Sequence, residues 1–291
     1  MKKVRSISMN KKYGKLLLGS LAVGAAAVLV DALLLEKYFF DVKTFNIGEN
    51  GGGKQLKLVL LTDLHFKQHL LPHHRKLAAK INELEPDLIL ITGDTLDSSG
   101  TLHPMDAFLS LLHQRIPKAA IPGNNDYKAA PDLSSLKNIY KKHNCDFLVN
   151  ESKLYLLRGE RLLVTGLDDF IEGESDVAAA VADVGHEKHH LLLVHSPLQQ
   201  ETAMKKIRMI NRGRSRDEQL QIRYIFAGHN HGGQVRLPGY VPKLPLKSGG
   251  YVNGWYNQQP PYLYVSKGFG TSTLPFRFFA RSEVTVFKYS M

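Results

Sequence analysis

An α/β domain behind a membrane-spanning N-terminal helix is the fold class this sequence predicts, on three observations. From Leu56 to Lys288, apolar runs of strand length alternate with stretches of helical periodicity. Leu16 to Leu35 form one apolar run of about the length that crosses a hydrocarbon core as a helix. Several of the strand-length runs are followed at once by Asp, Asn or His, at the strand ends where open α/β sheets gather ligands.

The elements follow in chain order. Lys2, Lys3, Arg5, Lys11, Lys12 and Lys15 precede the apolar run without an acidic partner, so residues 1–15 read as a basic cytoplasmic segment. Residues 16–35, LLLGSLAVGAAAVLVDALLL, read as a transmembrane anchor or uncleaved signal, with Asp31 near the far end where the interface hydrates it. A cleavable signal is the competitor, but its small residues, Ala25 to Ala27, lie inside the apolar run and not after it. Residues 36–55, glycine-rich from Gly48 to Gly53, read as a linker, and 56–291 as the globular domain. The basic side stays cytoplasmic, which puts that domain outside the cytoplasm.

Leu56–Thr62 is a continuous apolar run, as a strand buried on both faces requires. His73–Glu85 places Leu77, Ile81 and Leu84 on one helix face and is stopped by Pro86. Asp87–Thr92 and Ala119–Pro122 are further buried strands, and Leu154–Leu157 with Arg161–Thr165 form a hairpin about Arg158-Gly159-Glu160. His190–Val194 and Arg223–Ala227 are buried strands again, with short strands near Gln234–Leu237, Tyr262–Ser266 and Glu283–Lys288.

Composition bounds the rest. The chain has 291 residues, 43% hydrophobic and 22% charged, ordinary for a globular protein. A single cysteine, Cys145, excludes an intramolecular disulfide and reads as a small buried apolar residue. The net charge of +11 suits anionic partners. Besides the N-terminus, it gathers in Lys205, Lys206, Arg208, Arg212, Arg214 and Arg216, which read equally as a solvated helix face.

The strand-end motifs are Asp63-Leu64-His65, Gly93-Asp94, Gly123-Asn124-Asn125-Asp126, His195-Ser196-Pro197 and Gly228-His229-Asn230-His231. All donors are oxygen or imidazole and none is a thiolate, which suits a pair of divalent first-row metals better than structural zinc. A carboxylate can bridge two metals and an imidazole serves one, so Asp94 is the best bridging candidate. Asp63 with His65, and His229 with His231, stand two residues apart, so alternation along a strand would point each pair the same way. Singly each motif is weak; in this order they point to metal-dependent hydrolysis.

Those motifs resemble the calcineurin-like metallophosphoesterase superfamily, whose pattern is D-x-H, G-D, G-N-H-[DE], H and G-H-x-H. Gly228 to Gln234, with the glycine- and proline-containing tail from Gly268 to Arg281, is similar to its membrane-associated bacterial branch. The resemblance spans Leu58 to Tyr289. It implies a four-layer α/β/β/α sandwich of two mixed sheets flanked by helices, with a dinuclear centre that hydrolyses phosphate esters or pyrophosphates. It further implies Asp63, His65 and His231 on one metal, Asn124, His195 and His229 on the other, Asp94 as bridge, and a metal-bridging hydroxide as nucleophile. Manganese is the expected metal, with iron, zinc and nickel open to the same donors. Asn124 and Asn125 would contact substrate.

One position departs. The family histidine that contacts phosphate and protonates the leaving group, oriented by the following acid, is here Asn125, followed by Asp126. An amide donates hydrogen bonds but supplies no proton. His69 or His103 could take over from a loop, and a pyrophosphate or aryl ester would need little protonation.

The leading expectation is a membrane-anchored phosphoesterase with a phosphate ester or pyrophosphate as substrate, a lipid-linked one included, and no protein partner. The aromatic-basic stretch from Pro275 to Arg281 either touches a bilayer or is an apolar strand with outward arginines. A UDP-2,3-diacylglucosamine pyrophosphatase is a specific alternative, although its substrate is cytoplasmic and the domain is expected outside. A nuclease lacks an interleaved basic-aromatic platform near the motifs. A metal-binding pseudoenzyme rests on Asn125 alone.

Overall fold

The computed structural model describes residues 11–49, 53–237 and 239–291. Most of the basic N-terminal segment and the centre of the glycine run lie outside the described residues. The apolar N-terminal run is helix α1 (Lys11–Val30), continued by a π turn (Asp31–Leu35) and α2 (Glu36–Tyr38). Its window Lys15–Leu33 is long and apolar enough to cross a membrane.

Then follow β1 (Asp41–Gly48), β2 (Gln55–Leu61), α3 (Pro72–Leu84), β3 (Leu88–Thr92), α4 (Leu102–Leu111), β4 (Lys118–Ile121), α5 (Asn124–Ala129), α6 (Ser134–Lys142) and β5 (Cys145–Phe147). The second half carries β6 (Glu151–Leu157), β7 (Glu160–Gly166), α7 (Val177–Ala180), β8 (His190–Leu193), α8 (Gln199–Arg212), β9 (Ile222–Ala227), β10 (Gly254–Tyr256), β11 (Tyr262–Val265) and β12 (Glu283–Ser290).

The strands form two six-stranded sheets, ordered β1-β12-β2-β3-β4-β5 and β10-β11-β9-β8-β7-β6. Both are mixed: β2 through β5 run parallel while β12 is antiparallel to β2, and β7, β8, β9 and β11 run parallel between antiparallel β6 and β10.

Alternation along each strand explains the layers. In β2, Leu56, Leu58 and Leu60 face the second sheet, meeting Leu191, Leu193 and Phe226 in the central core. Val59 and Leu61 point the other way, against Leu77 and Ile81 of α3 and Phe108 of α4. On the far side, Leu192, Ile225 and Leu263 pack against Ala203 and Ile207 of α8. The molecule is thus helix, sheet, sheet, helix, and a strand buried on both faces has to read as an unbroken apolar run.

Three expectations change. Residues 36–55 are not simply a linker: α2 closes the N-terminal helix, and β1 pairs in parallel with β12 as the edge of the first sheet. The strand expected at Gln234–Leu237 reduces to isolated bridges, Val235 with Phe278 and Leu237 with Tyr240. The stretch from Pro275 to Arg281 is not a strand with outward arginines, because Arg277 is completely buried. Cys145 is buried, as its residue type suggests, and burial pushes its thiol well up. The basic cluster lies on and after α8 in the outer helix layer, away from the cavity described below. Within that cluster Arg214 is structural, donating to the carbonyls of Val181 and Val184.

Candidate metal centre

Five parallel strands deliver the motifs to one end of the sandwich. Asp63 and His65 follow β2, Asp94 follows β3, Asn124 opens α5 after β4, His195 follows β8, and His229 and His231 follow β9. Strand alternation does not set their directions. Asp63, His65, Asp94, His229 and His231 all have positive φ, between 47 and 71°. These side chains leave left-handed turns just beyond the strands, a conformation L-residues adopt rarely and at a cost. The turns are locked by backbone bonds between neighbouring motifs: Asp63 N–H to Gly93 O, His65 N–H to Asp94 O, and Gly228 N–H to His195 O.

Close backbone approach accounts for two glycines. A Cβ on Gly93, at φ +86°, would stand 2.6 Å from His195 Nδ1. A Cβ on Gly228 would stand 2.5 Å from Asp63 Oδ2. Either side chain would displace a ligand.

The donors fall into two buried groups, Asp63 with His65 and His231, and Asp94 with His195 and His229, the ligand atoms within each lying no more than 4.8 Å apart. Asp94 joins them: Oδ1 lies 3.4 Å from His195 Nε2, and Oδ2 lies 3.6 Å from His65 Nε2. Asn124 lines the cavity beside them, and its Oδ1 is buried without a hydrogen-bond partner. The structure therefore gathers Asp63, His65, Asp94, Asn124, His195, His229 and His231.

These residues fit a pair of divalent cations. His65 and His231 face each other through Nε2 atoms 3.1 Å apart, and His195 Nε2 meets His229 Nδ1 at 3.2 Å. Two inward nitrogens at that separation, beside carboxylates and an orphaned amide oxygen, are a cage for positive charge.

The outer bonds fix which nitrogen is offered. His195 Nδ1–H donates to Thr92 O at 2.8 Å, and His229 Nε2–H to Leu246 O at 2.8 Å, so the opposite nitrogens carry the free lone pairs. Thr62 Oγ1 and the His229 N–H donate to Asp63 Oδ2.

The electrostatics agree. Burial holds His229 down at about 4 and His231 well below its ordinary value, with neighbouring imidazoles adding to both. Neutral imidazoles are what a metal requires. Burial opposes charge on His195 as well, but Asp94 and Asp63 outweigh it and press this ring towards its protonated form. A divalent cation would answer the same negative field.

Asn125 is tied to the bridge. Its side-chain amide donates to Asp94 Oδ2 at 2.6 Å and its backbone N–H to Oδ1 at 2.8 Å. Asp126 does not orient Asn125. It accepts from the N–H groups of Gly123 and Leu96 at 2.9 and 2.8 Å, closing the first turn of α5. Burial and the Asp94 charge push its carboxyl up to about 7. His69 and His103, possible substitute proton donors by sequence, are exposed and line no part of the cavity.

A cavity of about 470 Å³ opens over this floor, with Asn125, His229 and His231 below and Val235, Leu244 and Leu274 among its walls. Sequence reasoning missed Arg277, which donates to Gly270 O, Lys267 O and Ala280 O and places Nη2 3.3 Å from His231 Nδ1. An arginine among phenylalanines carries no signal of burial. The carbonyls of Thr92 and Leu246 were equally invisible, since any residue supplies one.

Residues 56–233 match the calcineurin-like phosphoesterase family, more than half of the chain. The chain belongs to that family. It is 28% identical over 284 residues to the uncharacterized metallophosphoesterase YkuE of Bacillus subtilis, covering 94% of this chain and 93% of that protein. An uncharacterized metallophosphoesterase of Helicobacter pylori is 30% identical over 243 residues, covering 79% of this chain and 59% of the other. A bovine transmembrane protein with a metallophosphoesterase domain is 26% identical over 247 residues, covering 79% and 52%. As a phosphoesterase fold with two intact ligand groups, the protein is built for metal-dependent hydrolysis of ester or pyrophosphate bonds.

Proposed function

We propose that this protein is a membrane-anchored two-metal phosphoesterase whose substrate carries a good leaving group, a pyrophosphate or activated diester, linked to a lipid. The observation that carries the reading is the pair of buried ligand groups joined through Asp94, beneath a cavity with apolar walls. Asp63, His65 and His231 would hold one metal, and Asn124, His195 and His229 the other, with Asp94 shared. Bound there, the metals would lower the pKa of water and offset charge on the phosphoryl oxygens, with manganese the first choice to test.

The chain's own residues define the rest. Asn125 has two amide hydrogens; one goes to Asp94 and the other is free for a phosphoryl oxygen. Hydrolysis forms a bond from water oxygen to phosphorus and breaks the bond to the leaving oxygen, which keeps the electron pair. Asn125 cannot give the proton that the family histidine supplies, so a leaving oxygen able to depart as an anion is the one this site suits best. That favours phosphate or aryl leaving groups over alkyl alcohols. His229 is unsuited to the role because its Nε2–H is committed to Leu246 O.

The lipid is favoured by the helix Lys15–Leu33 and the apolar cavity walls, and the bovine relative's name also carries a membrane span. Basic residues before the helix favour a cytoplasmic N-terminus and an extracytoplasmic domain. The test uses the full chain in nanodiscs with Mn²⁺, offered bis(p-nitrophenyl) phosphate and a lipid pyrophosphate in parallel, with Asp94→Asn as control. Turnover absent from the control supports the reading. No turnover with two metals demonstrably bound would favour a metal-binding pseudoenzyme.

A further inference from the structure

The N-terminal helix does not hang from the domain on a flexible tether. Ala32 O, inside the apolar window, accepts the Arg277 N–H at 3.3 Å. The buried Glu36 accepts twice more, through Oε2 from Ala280 N–H at 2.9 Å and through its carbonyl from Ser282 N–H at 3.2 Å. The Tyr38 ring meets His73 of α3 edge-on, and the Lys76 ammonium lies 4.8 Å from the centre of the Phe39 ring. Glu36 is three residues past Leu33, only about 4.5 Å along a helix axis. Residues 277–282 are therefore held at the depth where the helix would leave the hydrocarbon.

That segment is hydrogen-bonded in turn to the cavity wall. Phe278 N–H donates to Gln234 O and Arg236 N–H to Phe278 O, while the Gln234 amide reaches Leu274 O. Leu237 and Tyr240 then bond each other across a tight turn, and the chain continues along the wall to Leu246, whose carbonyl holds His229.

This rim is where the domain exposes large apolar side chains: Leu237 at 52%, Tyr240 at 60%, Leu246 at 74%, Leu274 at 43% and Phe279 at 50%. Elsewhere Leu111 and Met209 lie on separate helices, and Leu154 and Leu156 make only a pair on β6. Leaving a cluster of that kind in water is unfavourable, and its occupant must lie level with the end of the helix.

We infer that the rim formed by Leu237, Tyr240, Leu246, Leu274 and Phe279 is seated in the interfacial layer of the bilayer, so that the cavity opens to the lipid plane. The inference rests on the reading of the N-terminal helix as a membrane anchor. The rim inserts apolar side chains to shallow depth, as interfacial segments do, and the docked helix fixes its height and tilt. A lipid phosphate then reaches the site by lateral diffusion, with its hydrocarbon portion against Leu244 and Leu274.

The test is depth-dependent quenching of tryptophan fluorescence in the full chain, in nanodiscs containing lipids brominated along the acyl chain. The only native tryptophan is replaced (Trp255→Phe). Single probes are then placed as Leu237→Trp, Leu246→Trp, Leu21→Trp in the helix, and Leu156→Trp at the opposite end of the sandwich. We expect quenching at 237 and 246 several-fold stronger than at 156. Unquenched probes at 237 and 246 beside a quenched probe at 21 would overturn the seated rim and leave the anchor standing. An unquenched probe at 21 would remove the anchor reading and the inference resting on it.

Discussion

Asn125 and Asp94 are joined twice, amide to Oδ2 at 2.6 Å and backbone N–H to Oδ1 at 2.8 Å, so the residue that departs from the family pattern supports the carboxylate that lies between His65 and His195. Asn125 therefore has a structural task that removing its amide should reveal. For Asn125→Ala we expect metal affinity to weaken about 10-fold or more, as for other lost partners of a metal ligand. Calorimetric titration with Mn²⁺ measures it; unchanged affinity would mean the contact is incidental. Asn125→His should restore a proton donor and raise hydrolysis of alkyl esters by up to about 10²-fold, with little change for aryl esters.

Asp94 is where the two groups meet, so its charge should matter more to stoichiometry than that of any other ligand. Asp94→Asn is expected to bind less than one metal per chain, read by elemental analysis, and to lose about 10³-fold or more in turnover. Retention of two metals would show that the bridge lies elsewhere.

Chelation separates folding from catalysis. The sandwich has its own apolar cores between and outside the sheets, so removing metal should abolish hydrolysis while far-ultraviolet circular dichroism stays unchanged. Manganese should restore activity. Loss of the dichroism signal would make the metals structural.

Arg277 should be costly to replace. Its guanidinium satisfies buried carbonyls of Gly270, Lys267 and Ala280, and burial holds its pKa down to about 10. Arg277→Met strands those acceptors and removes a positive charge near Asp63 and Glu36, at a cost of about 3–5 kcal/mol. Urea unfolding measures the change, and a loss under about 0.5 kcal/mol would contradict this account.

His190 sets a pH dependence away from the metals. Burial holds its pKa down to about 3, and its Nε2 bonds Thr165 Oγ1 at 2.7 Å. Because the unfolded chain takes up this proton first, the native state is penalised as pH falls below the ordinary value near 6.5. The penalty amounts to about 2 kcal/mol at pH 5 and grows until about pH 3. His190→Gln should flatten that part of the curve, as unfolding free energies at pH 7 and pH 5 would show. Equal slopes in both proteins would exclude His190 as the source.

The parts legible in the sequence were those written as side-chain patterns. The strands β2, β3, β8 and β9 are buried on both faces and so appear as apolar runs, and the ligands appear because metals demand particular donors. Strand β1 was missed because an edge strand shows no unbroken apolar run; its burial alternates, and its partner β12 is far away in sequence. The ligand directions were assigned to strand alternation, whereas left-handed turns after the strands produce them. Nothing in those side chains announces a positive φ. The buried side of Arg277 and the carbonyl hooks on His195 and His229 depend on tertiary contacts that no local pattern encodes.

The first sheet places β12 between β1 and β2, so a strand at residues 283–290 is inserted between two made at residues 41–61. While the chain is being synthesised, β1 has no neighbour to pair with and β2 has an open edge. The helix end also lacks residues 277–282, its docking partners. Folding of this layer must wait until residue 290 has emerged, long after the apolar helix has left the ribosome and become available for insertion. A domain that closes this late keeps its first sheet open until nearly its whole length has been made.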